Sequence, residues 1–321
     1  MKIDWTTNDI PLLQGQRYLI TGANSGIGYR TALELARRGG VVVMACRDRT
    51  RGEEALARLR REAVGPDSAA SAAELVQLDL ASLESVRAMA EAELARGKGL
   101  HCLINNAGVM APKKRRETRD GFELQFGTNV LAHFALTCRL LPSLERNRAA
   151  RVEDAPRVVT IASIAHKRGR LAFEDLNSTR RYVPMAAYAQ SKLADLMLSF
   201  ELERRLRAAR MGTISLAAHP GVANTRLFQS GEYPAFEREM RKIVGVAIDA
   251  FLNSDAEGAL QTLYAATGES ATGGGYYGPQ GLLEMRGGDV GNASVAARAL
   301  DLAAQKKLWE ACETMTGVTL P

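Results

Sequence analysis

No apolar run in this 321-residue chain approaches the roughly 18 residues that a membrane-spanning helix needs. The amino-terminal stretch MKIDWTTNDIPLLQGQR also lacks the apolar core of a signal peptide. A cytoplasmic location is therefore expected. Cysteine is scarce. Cys46, Cys102, Cys138 and Cys312 lie far apart, and no two have the spacing of metal ligands. Such a set does not read as a disulfide framework in a long chain. His101, His133, His166 and His219 form no ligand motif either, so no structural metal is expected. Aromatics are missing from the one dense basic run, Lys113 to Arg116, whereas single-strand nucleic-acid surfaces combine such charge with stacking rings. The rest of the net charge of +6 is spread over pairs such as Arg37-Arg38, Arg60-Arg61 and Arg204-Arg205. These alternate with glutamates and read as solvated helix faces, so nucleic acid is not an expected partner.

What is present is the composition of a globular protein, 46% hydrophobic and 24% charged. Short apolar runs alternate with segments of helical spacing. RYLIT, VVVMAC, ELVQLDL, HCLINN, RVVTIAS, TISLAAHPG and GGGYYGPQG read as about seven strands. Between them lie GIGYRTALELARR, TRGEEALARLRREA, LESVRAMAEAELARG, a long helical region over 119–148, and the helix carrying YAQSK. An amphipathic helix over about 292–314 ends the chain. Near-continuous apolar strands imply burial on both faces, and strand-helix alternation implies right-handed crossovers. The expectation is an α/β fold: a doubly wound, Rossmann-type parallel sheet with helices on both faces. No linker divides the chain, so a single domain over 1–321 is expected, although length alone would suggest two.

TGANSGIG joins the first strand to the first helix. Glycine permits the sharp turn and the approach of a pyrophosphate, which the helix amino terminus attracts. Gly22, Asn24, Ser25, Gly26, Ile27 and Gly28 are therefore candidate cofactor contacts. The second strand ends in Cys46 and Arg47, where an NAD site usually has a carboxylate for the ribose. A guanidinium instead suits a 2′-phosphate, so NADP(H) is expected over NAD(H). Asp48 argues the other way if it turns inward, and Arg51 is either a second cation or part of the helix face. Asp79 and Leu80 end the third strand near an adenine edge, or cap the next helix, a task open also to Ser82. Asn105, Ala107 and Gly108 of NNAG end the fourth strand, where ligands of such sheets bind.

TGANSGIG, NNAG, Asn129 in FGTNVLAHF, Ser163 in TIASIAH, YAQSK and HPGVANT occur in an order that resembles the short-chain dehydrogenase/reductases. The similarity covers about residues 15–285. MACRD, NNAGVMAP, FEDLN and AYAQSKLADLM resemble the retinol dehydrogenase and protochlorophyllide reductase-like branch, as does the 25-residue step from Ser163 to Tyr188. The side chains allow the matching chemistry. A carbonyl that accepts hydride needs a proton, and a phenol with an ordinary pKa near 10 is a reluctant donor. Lys192, one helical turn from Tyr188, favours the ionised phenol, and Ser163 can stabilise the developing oxyanion. Each residue alone reads equally well as ordinary structure. The resemblance implies that Lys192 also contacts the nicotinamide ribose and that Asn129 supports a proton-relay water.

The resemblance further sets Pro220, Gly221, Val222 and Thr225 around the nicotinamide end, Thr225 being alternatively a helix cap. Over about 222–255, Leu227, Phe228, Tyr233, Phe236, Met240 and Val244 are either a lid, core residues or a subunit contact. The expected substrate is an apolar ketone or aldehyde, or the corresponding alcohol; Arg168, Arg170 and Arg226 keep an acidic one open. The alternatives are a non-catalytic NAD(P)-binding sensor or scaffold, and a C=C reductase. A homodimer or homotetramer is compatible with all of them.

Overall fold

Strands that are apolar on both sides need cover on both sides. The computed structural model, which describes residues 2–149, 154–221 and 253–321, supplies it with helices on each face of one nine-stranded sheet. In chain order the elements are β1 (Lys2–Ile3), β2 (Arg17–Thr21), α1 (Gly26–Arg37), β3 (Val41–Cys46), α2 (Arg49–Glu62), β4 (Glu74–Gln77), α3 (Leu83–Ala95) and β5 (Cys102–Asn105). Next come α4 (Ala132–Glu145), β6 (Arg157–Ile161), α5 (Pro184–Ala208), β7 (Ile214–Ala218), α6 (Asp255–Thr267), β8 (Tyr276–Pro279), β9 (Val290–Asn292) and α7 (Leu302–Thr316).

The strand order is β1-β9-β8-β7-β6-β5-β2-β3-β4. From β8 to β4 every pairing is parallel, while β9 and β1 add an antiparallel edge. The seven expected strands are thus the parallel ones. The chain order reverses between β2 and β5, which opens a crevice at their carboxyl ends. Alternate residues feed two cores: Val42 and Met44 pack with α1, α2 and α6, whereas Val43 and Ala45 pack with α3, α4, α5 and α7. Leu19 and Ile20 are neighbours in β2, fully buried on opposite faces. At about 1.5–3 kcal/mol for each such side chain, both faces hold the sheet.

Two helix boundaries differ from expectation. The region predicted as helix from 119 begins its helix only at Leu124. Gly121 turns the chain with φ 84°, and the Glu123 carboxylate accepts from the N–H groups of Gln125 and Phe126 at 3.0 and 2.8 Å, capping the start. A π turn over Phe126–Leu131 then precedes α4. At the carboxyl end, the chain from 292 is not yet α-helical, and a 3-10 turn over Ala297–Leu300 precedes the helix. Val290–Asn292 join the sheet, and α7 starts where Asp301 accepts from the N–H groups of Ala303 and Ala304.

Arg17, at the amino end of β2, donates to Glu74 of β4 at 2.9 Å and to Glu93 of α3 at 2.8 Å. Arg17 and Glu93 are only 5% and 1% exposed, so removing either leaves a buried charge without its main partner. Glu93→Ala is expected to lower unfolding stability by about 3 kcal/mol in urea titration. Glu84→Ala, which breaks the exposed pair with Arg87, is expected to cost much less. Equal losses would contradict the anchoring role of Glu93.

Candidate active site

A cleft of about 940 Å³ opens at the carboxyl ends of the parallel strands. Gly22, Asn24, Ser25, Gly26, Ile27 and Gly28 form one wall. Gly22 has φ 69°, and a Cβ there would stand 3.0 Å from the Ala107 side chain. A Cβ on Gly28 would lie 2.4 Å from Asn106 Nδ2 and 2.6 Å from the Gly22 carbonyl. The turn therefore fits only without side chains at these two places. Ser25 precedes α1 but makes no side-chain cap, so the first N–H groups of that helix remain for a ligand anion at the cleft.

Behind this wall, the buried Thr21 hydroxyl accepts from the N–H groups of Asn106 and Ala107, both at 2.9 Å. Its Oγ1 is 3.0 Å from His133 Nε2, and His133 Nδ1 is 2.9 Å from the Asn129 carbonyl. A proton on Nδ1 satisfies both contacts: Nδ1–H donates to Asn129, and Nε2 accepts from Thr21. Burial holds the His133 pKa down at about 4, which keeps the ring neutral. Asn106 Nδ2 also donates to the Thr21 carbonyl at 2.8 Å. Asn106 thus lines the cleft, and Asn105 does not. The pleat of β5 sends the Asn105 side chain to the opposite face, where it donates to Thr137 at 2.9 Å. Of the expected NNAG contacts, Ala107 and Gly108 line the cleft, and Asn106 stands there in place of Asn105.

Arg47 lies exposed at one end of the cleft. Asp48 and Arg51 line the same end; Asp48 also caps α2, its Oδ1 accepting from the Arg51 N–H at 3.0 Å. Asp79 and Leu80 line the cleft, while Ser82 caps α3 by accepting from Ser85. Asp79 Oδ1 meanwhile accepts from Ala81 N–H at 3.0 Å. The Cys46 thiol, beside Arg47, is buried and pushed up to about 11, which makes it unreactive at neutral pH.

Ser163, Tyr188 and Lys192 line the same cleft. Ser163 ends the segment after β6, and its Oγ accepts from Ala165 N–H at 3.2 Å. That bond uses a lone pair and leaves the hydroxyl proton to donate into the cleft. Tyr188 and Lys192 come from one face of α5 and are 8% and 5% exposed. Lys192 Nζ donates to the Ile161 carbonyl at 2.8 Å and to Asp195 Oδ2 at 2.9 Å. Desolvation works against its charge, but Asp195 and then Tyr188 outweigh it, and its pKa is raised. Asn129 is fully buried in the π turn and does not itself line the cleft. Its Oδ1 accepts from Val109 N–H at 2.8 Å, and its Nδ2 donates to Val109 O and Ser191 Oγ, both at 3.0 Å. It braces the loop after β5 against α5, directly behind Gly108.

At the far rim Pro220 and Gly221 of HPGVANT line the cleft together with Leu283 and Met285, which no motif marked. Leu283 and Glu284 have φ of 53° and 59°, a conformation that side chains disfavour. Glu284 holds them there by accepting from Lys167 at 2.9 Å and from Ser294 N–H at 2.7 Å. Burial opposes its charge, yet His219, Ser294 and Lys167 outweigh burial and hold the carboxyl well below its usual range. Arg168 lines the cleft; Arg170 does not. Val222, Thr225, Arg226 and the expected lid residues Leu227, Phe228, Tyr233, Phe236, Met240 and Val244 lie outside the described residues.

The sequence model of the family described as short chain dehydrogenase matches residues 16–232. The chain is 38% identical over 315 residues to retinol dehydrogenase 14 of Mus musculus, covering 97% of this chain and 88% of that protein. It is 39% identical over 310 residues to polyprenol dehydrogenase of Mus musculus, covering 96% and 86%. A solved structure of an uncharacterized protein from Mycobacterium paratuberculosis shares 40% identity at a TM-score of 0.77, over 99% of both chains. The RhlG/NADP active-site complex of Pseudomonas aeruginosa, at 23% identity and a TM-score of 0.61 over 82% and 94%, shares the fold. Glycine turn, cleft and relatives agree: the chain belongs to the short chain dehydrogenase family, in its retinol dehydrogenase-like branch, and is an NAD(P)-dependent oxidoreductase.

Proposed function

We propose that this oxidoreductase uses NADP(H) to interconvert an apolar ketone or aldehyde and its alcohol, with Ser163, Tyr188 and Lys192 as the working side chains. The observation that carries the reading is their convergence on the cleft that the glycine turn opens. The nicotinamide supplies or accepts hydride when bound. The glycine turn and the start of α1 suit its pyrophosphate, and Arg47 suits a 2′-phosphate. Arg51 lines the same end as a second cation, while Asp48 beside them spends one carboxylate oxygen on its helix cap.

The protein's own part is to hold the carbonyl and manage its proton. Ser163 O–H donates to the carbonyl oxygen, where negative charge develops. Tyr188 O–H gives that oxygen its proton in reduction, and the phenolate takes it back in oxidation. The Lys192 ammonium stabilises the phenolate. Asn129 contributes by bracing the loop at Gly108 rather than by facing the substrate. An apolar substrate is favoured by Met110, Ile164, Met185, Leu283 and Met285 around the cleft, of which Met185 and Leu283 are 54% and 74% exposed. Lys167 is paired with Glu284, which among the described residues of this rim leaves Arg168 as a cation for an acidic substrate.

NADPH oxidation with a panel of apolar and charged carbonyl compounds tests the reading. Turnover of apolar members is expected, and Tyr188→Phe is expected to lower kcat by about 100-fold or more. Full activity in that variant, or turnover confined to small charged compounds, overturns it. Arg47→Asp is expected to weaken NADPH binding by roughly tenfold while leaving NADH nearly unchanged. Equal weakening of both would refute the role of Arg47.

A further inference from the structure

Lys192 lies between two partners on α5. Tyr188 is one turn before it and Asp195 one turn after. An ammonium has three donors, and two of these are committed to Ile161 and Asp195. Asp195 is 4% exposed and does not line the cleft. It borders a separate cavity of about 30 Å³ shared with Asn105, His133, Thr137 and Ser199, where Asn105 Oδ1 is buried without a hydrogen-bond partner among the described residues. That cavity is walled largely by apolar side chains such as Val130, Phe134, Leu202 and Trp309, and it is large enough for one water molecule. The carboxylate is therefore built into the back of the site, away from the cleft.

We propose that Asp195 is a positioning residue that acts through Lys192, anchoring its ammonium and offsetting part of the positive charge felt at Tyr188. The inference rests on Tyr188 carrying the proton, as in the proposed function. A lone ammonium acts on its neighbours as a full charge. Paired with a carboxylate at 2.9 Å, it acts more nearly as a dipole, whose field falls off faster. Both groups are buried, so solvent screens the difference little.

The other titratable groups facing these residues do not alter the balance. His133 is neutral, and burial pushes the Cys138 thiol of α4 up to about 12. Burial likewise raises Cys312 of α7 and Tyr276 of β8, the latter facing Tyr188. Lys167, at the cleft rim, is paired with Glu284. For Asp195 itself burial outweighs the attraction of Lys192, which raises its carboxyl to about 6. The pair is thus ionic at neutral pH, and protonation below about 6 leaves the ammonium without its counter-charge.

Ultraviolet titration of the unliganded protein tests this without turnover. The signal to monitor is the phenolate absorbance that Tyr188→Phe removes. Asp195→Asn is expected to move its midpoint to lower pH by about one unit, because the ammonium is no longer offset. Asp195→Glu, which keeps the charge, is expected to shift it less. In a Lys192→Met background, Asp195→Asn is expected to shift the midpoint less, because only the direct field of the carboxylate is then lost and not its hold on the ammonium. An unchanged midpoint in Asp195→Asn, or the same shift without Lys192, overturns the proposal. Should Asp195→Asn fail to fold, Asp195→Ser is read by the same criteria. Failure of the wider functional reading would show instead as undiminished turnover by Tyr188→Phe.

Discussion

The hydroxyl of Thr21 sets the spacing on which the site depends. It stands at the end of β2, accepts from two successive N–H groups of the loop after β5, and meets the His133 ring, whose other nitrogen bonds the Asn129 carbonyl. One buried oxygen thereby ties together the strand that begins the glycine turn, the loop opposite it and the π turn. The demand for glycine at position 28 arises from this arrangement. Asn106, held by Thr21, occupies the volume that a Cβ there would need. Two motifs that look independent along the chain are two sides of one packed contact.

Buried ion pairs serve different ends at the two ends of the sheet. At the amino end, Arg17 clamps β2 to β4 and α3, and its effect is mechanical. At the carboxyl end, Lys192 and Asp195 lie within one helix, so their attraction joins no separate elements. Their closeness instead determines how much charge reaches the cleft. Burial is costly for both pairs, but only the second lies beside a group whose proton matters to the chemistry.

The parallel sheet was legible because strands buried on both faces leave continuous apolar runs, and the helices between them keep their spacing. β1 and β9, of two and three residues, are too short for any period to register. The start of the helix before α4 depended on Glu123, whose acid side chain reads as ordinary helix composition until its bonds to Gln125 and Phe126 are seen. Ser163, Tyr188 and Lys192 were legible from order and spacing. The choice between Asn105 and Asn106 was not, because it depends on which residue first leaves the pleat. Asp48 posed a similar problem, since a carboxylate beside Arg47 has the same sequence whether it turns inward or caps a helix. Asp195, three residues after a lysine, looks like one more solvated helix pair; its burial comes from the packing of α4 and α7 around it.

The π turn over Phe126–Leu131 has an evolutionary consequence. Such turns behave as a helix with one residue too many, the excess being absorbed by a wider loop of backbone. A deletion of one residue there would restore regular helix and keep most apolar contacts of α4. It would also rotate the segment before the turn by about 100° relative to α4, carrying Asn129 away from Val109 and Ser191. The bulge therefore makes this segment intolerant of any change in its length.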